Sequence, residues 1–285
     1  MALLTVHDAL LQGTKILGEG GIAVPRLTAE VLLSHALRSR REFLYTHPER
    51  ELREVEWIHF GRYLHERLKG KPTQYITGHQ EFYGREFLVT PDVLIPRPET
   101  ELVVETATEA GRAAGRILDV GTGSGAIAIS LKLETQSLVR ATSFVYATEI
   151  SRGALGVARE NARRLGADVE FVQCDLLTAI ADRSMDVVVS NPPYVPIADR
   201  EGLQREVREY EPEIALFAGP TGFEIYEQLI ADATRVLRPG GVLILELGYN
   251  SRDRVVTLLR QGWCDVRTVP DLAGIPRVLV ARLAS

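Results

Sequence analysis

From residue 115 onward, apolar runs short enough for strands alternate with amphipathic stretches long enough for helices. The strand candidates are Arg116–Val120, Ser143–Thr148, Val169–Val172, Met185–Ser190, Gly241–Leu247, Trp263–Val269 and Arg277–Ala281. The helix candidates between them are Gly125–Leu133, Gly153–Leu165, Phe223–Leu237 and Arg252–Arg260. Such alternation predicts an α/β fold, a parallel sheet wound with helices on both faces. Its crossovers are expected to be right-handed. In sheets of this kind ligands bind beyond the carboxyl ends of the strands, so the residues that end each strand deserve the closest reading.

The first 70 residues read differently. Ala9, Leu10, Ile16 and Leu17 fit one apolar helical face, and Val31, Leu32, His35 and Ala36 fit a second, with Thr28 as its candidate N-cap. A third helix is expected from about Arg53 to Lys69. These predict a small helical domain over 1–70. Residues 71–97, with Gly78 and Gly84 between short aromatic and apolar runs, read as a β-hairpin linker, and 98–285 as the larger domain, with Pro98 or Glu99 opening its first helix.

Composition narrows the function. The net charge is −5, and residues beyond 70 carry −6 of it, a poor footprint for binding a phosphate backbone. All six histidines (His7, His35, His47, His59, His65 and His79) precede residue 80. A histidine base, a Ser-His-Asp triad or a His-ligated metal is therefore not expected in the larger domain, and no metal is expected at all. Cys174 and Cys264, far apart and in no ligand pattern, read as core thiols of a reducing compartment. Neither a signal peptide nor a membrane-spanning run is legible, so a cytoplasmic protein is expected.

Four strand ends carry chemistry. After the first comes Asp119-Val120-Gly121-Thr122-Gly123-Ser124-Gly125-Ala126, where glycines allow close backbone approach and a helix start offers N–H groups. Gly121-x-Gly123-x-x-Ala126 satisfies a loose dinucleotide fingerprint, and Asp119-x-Gly121-x-Gly123-x-Gly125 resembles the loop of S-adenosylmethionine (SAM) enzymes. Glu149 ends the second strand, where a carboxylate can accept both hydroxyls of a ribose; the plainer reading is an exposed acid starting a helix. Asp175 follows the third strand and can bond an adenine amino group or simply cap a helix.

The fourth strand ends in Asn191-Pro192-Pro193-Tyr194. Neither proline has an N–H, and each restricts the residue before it, so the backbone is stiff and extended. The Asn191 side-chain oxygen and the Pro192 carbonyl can point into a cleft as acceptors, with the Tyr194 ring as a wall. Two fixed acceptors beside an aromatic suit a planar –NH2 group, from an amide or a nucleobase. A Pro-rich loop without function is the bland alternative, and the ordered series of strand-end signals weighs against it.

The chain resembles the HemK family of class I SAM-dependent methyltransferases, the release-factor glutamine N5-methyltransferases. The resemblance is carried by Glu81-Phe82-Tyr83-Gly84, Leu94-Ile95-Pro96-Arg97-Pro98-Glu99-Thr100-Glu101, the Asp119–Gly125 loop, Asn191–Tyr194, Tyr210-Glu211-Pro212, and Asp271-Leu272-Ala273-Gly274 with Arg277-Val278. It implies a Rossmann-like fold with a seven-stranded mixed, mostly parallel sheet. It also implies SAM as cofactor, held by Asp119, Gly121, Thr122, Gly123, Ser124, Gly125, Glu149, Asp175, Leu176 and Asn191. Peptide chain release factors are the implied partner, gripped by the helical domain and hairpin, with the glutamine of a Gly-Gly-Gln loop as acceptor. Asn191, Pro192, Pro193 and Tyr194 are the expected catalytic and substrate-binding group, with Arg97 and Glu101 as further substrate contacts; a plain i,i+4 ion pair is the alternative for those two. Glu149 stands where the family usually has Asp, and Leu176 where some members carry an aromatic.

On this reading the amide nitrogen attacks a sulfonium methyl in line, while Asn191 and the Pro192 carbonyl accept the two amide hydrogens and aim the lone pair. No strong base is required. Two other readings remain: a nucleic-acid adenine or guanine amino methyltransferase using the same four residues, which predicts a basic groove with stacking aromatics, and a SAM-binding protein without turnover. No direct nucleic-acid or membrane partner is expected.

Overall fold

The computed structural model describes residues 4–111, 115–137, 143–259 and 261–284. It divides into two compact units: residues up to His79 together with Gln204–Tyr210, and the remainder.

The first unit is helical: α1 Val6–Glu19, α2 Pro25–Leu37, α3 Arg41–Thr46, α4 Glu54–Leu68 and α5 Thr73–Thr77, joined by the later segment Arg205–Tyr210. Its core is Leu10, Leu17, Leu32, Leu33, Phe60 and Leu64 with smaller neighbours. The Thr5 hydroxyl caps α1 by accepting the Asp8 amide. Thr28 does not cap α2. The helix starts three residues earlier because Pro25 occupies its first turn, where a missing N–H costs nothing, and Thr28 lies buried inside it. In α4 the nearly buried Glu56 accepts the Arg53 amide and pairs with Arg50 and Arg53. These partners outweigh desolvation and hold its carboxyl at about 2.

The second unit begins with the hairpin β1 His79–Phe82 and β2 Arg85–Leu88, then a 3-10 turn Pro98–Thr100 running into α6 Glu101–Gly111. There follow β3 Arg116–Val120, α7 Ala126–Ser137, β4 Phe144–Glu149, α8 Arg152–Leu165, β5 Val169–Gln173, β6 Met185–Ser190 and β7 Val195–Pro196; then, after the first unit's α9 Arg205–Tyr210, β8 Phe217–Gly219, α10 Glu224–Val236, β9 Leu237–Glu246, α11 Arg252–Leu258, β10 Trp263–Pro270 and β11 Pro276–Leu283. The expected fourth helix of this domain thus ends at Leu258, and Arg260 lies outside the described residues.

Seven strands form one sheet in the order β10-β11-β9-β6-β3-β4-β5. All neighbours from β9 to β5 are parallel; β11 runs antiparallel to both β9 and β10. Continuous burial of Ile117 to Val120 and Val187 to Ser190 reflects cover on both faces. One face packs under α6, α7 and the hairpin phenylalanines Phe82 and Phe87. The other packs under α10, whose Tyr226, Leu229, Ile230, Ala233 and Val236 form a stripe at helical spacing.

Strand order reverses at β3: the chain leaves it toward β4 and β5, then returns to β6 on its other side. Val120 pairs with Ser190 in register. The Gly-rich loop and Asn191 therefore emerge side by side at the reversal point, where an open α/β sheet leaves a crevice. Among the described residues no helix is long and apolar enough to cross a membrane.

Candidate functional site

A cavity of about 250 Å³ lies at this reversal point. Of the residues expected to bind cofactor or substrate, Gly121, Gly123, Glu149, Asp175, Leu176, Asn191 and Pro193 line it. Asp92, Ile214 and Ile225, unremarked in the sequence, help complete the wall, as do Leu94 and Cys174, to which no binding role was given. Cys174 and Cys264 are both partly exposed free thiols rather than core ones.

The loop floor is built by backbone geometry. Gly121 and Gly123 adopt φ of 71° and 55°, and a Cβ at either would meet no protein atom. Their bare backbone thus faces space a ligand can enter. Gly125 is different. A Cβ there would meet Ile129 at 2.7 Å and Ala158 at 3.3 Å, so it serves the close approach of α7 and α8 and not the cavity. The Ser124 carbonyl accepts from the Asn161 amide at 2.9 Å, and that side chain also brackets Leu88 through both its backbone groups.

Asp119 and Thr122 also lie off the cavity wall. Asp119 is fully buried; its Oδ2 accepts the Thr122 hydroxyl at 2.6 Å and the Ala128 amide at 3.2 Å, tying strand, loop and helix together. Its Oδ1 has no partner. Burial pushes the carboxyl up to about 7, and the charge of Glu149 acts in the same direction. An orphaned acceptor beneath open glycines suits a ligand that brings positive charge. Glu149 is 8% exposed. Its two carboxyl oxygens accept the Gly123 amide at 3.0 Å and the Ser151 amide at 2.9 Å, so it is anchored at the cavity edge with lone pairs to spare. It does not start a helix: Ser151 caps α8. Asp175 caps none either, because a turn follows β5.

At the neighbouring strand end, after β6, Asn191 donates from Nδ2 to the Thr100 hydroxyl at 3.2 Å. Pro192 is buried and Pro193 lines the cavity. The Tyr194 ring sits behind them against Gly248, where burial first, and the charge of Glu246 second, push its phenol up to about 12. Thr100 also hydrogen-bonds the Glu246 carboxyl. Glu246 ends β9, is 4% exposed, and is pushed up to about 7 by burial. Tyr226 steadies this strand end: its hydroxyl donates to the Glu246 carbonyl at 2.7 Å and accepts the Gly248 amide at 3.2 Å.

Arg97 and Glu101 do not pair with each other. Arg97 pairs with the buried Glu211, which also accepts the Ile95 amide at 3.3 Å. Glu101 accepts the Tyr83 amide at 2.7 Å, bracing a hairpin turn in which Tyr83 has φ of 52°. Neither lines the cavity. Asp271 organises the last loop by accepting from the Ala273 and Ile275 amides at 2.9 Å and from Arg277 Nε at 3.0 Å. Among the described residues no cluster of acids, histidines and cysteines could hold a metal ion.

Sequence reasoning missed Glu246 and Tyr226, and it gave no role to Thr100 and Glu211, which stand in segments that carry the resemblance. A signal existed for one of them. Ser190 pairs with Leu245, so Glu246 is the next residue on the strand beside Asn191.

Residues 8–78 match the PrmC N-terminal domain and residues 98–206 the methyltransferase small domain. The fold is that of a methyltransferase from Pyrococcus furiosus (TM-score 0.50, 19% identity, covering 72% of this chain and 91% of that one). It is likewise that of the hMettl16 catalytic domain in complex with an RNA hairpin (TM-score 0.55, 18% identity, 75% and 89%). The release factor glutamine methyltransferase of Koribacter versatilis is 45% identical over 282 residues, covering 98% of this chain and 99% of its own. That of Chlorobaculum tepidum is 45% identical over 288 residues, covering 96% of each. The chain belongs to the release factor glutamine methyltransferase family.

Proposed function

We propose that this protein methylates the side-chain amide nitrogen (N5) of the glutamine in the Gly-Gly-Gln motif of peptide chain release factors, with SAM as methyl donor, in the cytoplasm. One observation carries the reading beyond family membership. Bare glycine backbone, an anchored carboxylate, Asn191 and Pro193 together line one small cavity.

The residues present fit SAM. Gly121 and Gly123 leave room for it, Glu149 offers oxygens to a ribose, and Asp175 and Leu176 border the cavity beyond β5. The unpartnered Asp119 oxygen favours its positive charge nearby. When bound, SAM supplies an electrophilic methyl on sulfonium sulfur. Asn191 Oδ1 and the Pro192 carbonyl accept the two hydrogens of the glutamine –NH2, and Tyr194 packs beside it. An amide nitrogen is a poor nucleophile because its lone pair is delocalised into the carbonyl. Two fixed acceptors favour the pyramidal nitrogen that develops as attack proceeds, and interactions that strengthen toward the transition state are the ones that accelerate it. Arg97, held by Glu211, is a substrate contact at the rim, and the helical unit grips the release factor. Glu101, committed to the hairpin, has no part in this scheme.

The test is incubation with methyl-labelled SAM and either a release factor or DNA. Label on the glutamine of Gly-Gly-Gln is expected. Label on DNA alone would transfer the same site to a nucleobase amine.

A further inference from the structure

A side-chain amide has chemically opposite ends, and only one of them is useful to an –NH2 substrate. We propose that Thr100 and Glu246 are positioning residues that fix which end of Asn191 faces the cavity. The proposal rests on the reading of Asn191 as the acceptor of the substrate amide.

Three elements bring the relay together. Thr100 closes the 3-10 turn before α6, Asn191 follows β6, and Glu246 ends β9. Because β6 and β9 are neighbours with Ser190 opposite Leu245, Asn191 and Glu246 leave the sheet at the same level. Thr100, 5% exposed, lies between them: its oxygen is 3.2 Å from Asn191 Nδ2, and its hydroxyl bonds the Glu246 carboxyl.

The polarity follows from donor counting. Once the pH exceeds its folded value of about 7, Glu246 is a carboxylate that can only accept, and a threonine hydroxyl has one proton to give. The Thr100 proton therefore goes to Glu246, leaving Thr100 a lone pair with no proton toward Asn191. Only the –NH2 end of Asn191 can meet that lone pair, so Oδ1 is turned the other way, toward the cavity that Asn191 lines. No described residue donates to that oxygen. In a buried chain of hydrogen bonds each member polarises the next. The acid at the far end thus makes Oδ1 a stronger acceptor as positive charge develops on the attacking nitrogen.

A second feature marks Glu246 as more than packing. Its Oε2 is buried without a partner, an arrangement a structural acid would normally avoid. Arg97 and Arg277 lend favourable charge from nearby, Glu99 opposes it, and the Tyr194 ring adjoins.

Threonine and valine have nearly the same shape, which separates the hydroxyl from the packing. The assay is methylation of a release factor by wild type, Thr100→Val and Thr100→Ser, with kcat, KM and the dissociation constant of S-adenosylhomocysteine measured for each. Thr100→Val is expected to lose about tenfold to a hundredfold in kcat, the scale of losing an oriented polar contact, with cofactor affinity unchanged; Thr100→Ser is expected to recover most of the loss. Glu246→Gln, whose amide can present either end to Thr100, should fall between them. Wild-type kcat in Thr100→Val overturns the relay while leaving the function intact. So does equal loss in the valine and serine variants, or loss of cofactor affinity in step with kcat. A wild type that leaves every release factor unlabelled overturns the function and the relay together.

Discussion

Adding one methyl group at Gly248 should disable the site from behind. Gly248 is buried, and a Cβ built on it would lie 2.8 Å from Tyr194 Cδ2, 3.1 Å from Cγ and 3.2 Å from Cε2. Carbon atoms rest at about 3.5–4.0 Å, so the nearest ring atom must move by about 1 Å. The backbone of Gly248 cannot give way easily: its amide donates to Tyr226, and its carbonyl accepts the Ser251 hydroxyl at 2.8 Å and the Ser251 amide at 3.1 Å. The Tyr194 main chain is confined too, since the next amide, that of Val195, donates to the Leu216 carbonyl at 2.9 Å. The ring must therefore move, and with it the wall beside Asn191. Overpacking of this kind costs about 1–3 kcal/mol of stability, and displacement of about 1 Å at a reacting site costs about a hundredfold in rate. Urea denaturation, calorimetric titration with S-adenosylhomocysteine and steady-state methylation of a release factor separate the contributions. The expected pattern for Gly248→Ala is modest destabilisation, near-normal cofactor affinity and a large fall in kcat. Removing the ring as well, in Gly248→Ala/Tyr194→Ala, should return much of the stability lost to the clash. A folded Gly248→Ala enzyme that turns over at the wild-type rate would show that Tyr194 does not shape the acceptor site.

Asn191→Ala removes the acceptor oxygen from the cavity wall; kcat should drop by about a hundredfold while S-adenosylhomocysteine binds as before, and equal turnover would refute the role. Asp119 and Glu246 should make the ligand-free protein less stable as pH rises. Both bind protons in the folded chain near pH 7, against reference values of 3.8 and 4.5. Their stabilisation is therefore fully present below those reference values and is lost as pH climbs through the folded values; Tm should fall across that window, and Asp119→Asn should flatten the slope. Arg97→Ala takes the guanidinium away from Glu211, whose side chain is only 1% exposed. The expected cost is up to about 3–5 kcal/mol in urea unfolding, the scale of a broken buried pair, and a smaller penalty in Arg97→Ala/Glu211→Gln would identify the loss of that charge pairing as the cause.

The sheet was legible because its central strands are long apolar runs with no competing period. Met185–Ser190 and Arg116–Val120 have the boundaries expected of them, and the others differ by a few residues at their ends. The errors have local physical causes. Thr28 looked like a cap because its hydroxyl can serve as one, yet Pro25 is already fitted to a first helical turn. The short helices Arg41–Thr46 and Thr73–Thr77 are too brief to show a period. Arg97 and Glu101 stand four apart, the spacing of a helical ion pair, but Arg97 precedes the helix and each side chain finds a distant partner instead.

The cavity wall was legible for a different reason. Gly121, Gly123 and the two prolines do something to the backbone that other residues cannot, so their chemistry survives in one dimension. Glu246 and Thr100 carry no such mark. A glutamate after Leu-Ile-Leu looks like a strand reaching water, and a threonine among Pro98, Glu99 and Glu101 looks like part of a polar turn. Their meaning is created by register, which places the end of β9 level with the end of β6 and lowers a hydroxyl between them. Asn191 is informative by itself, but its orientation is not a property of Asn191. An asparagine with no obligate acceptor behind it could turn either end to the cavity, and the prolines that stiffen its backbone do nothing to choose. The direction of that amide is settled by a carboxylate on another strand, and for that reason a motif of four consecutive residues underdetermines the chemistry it supports.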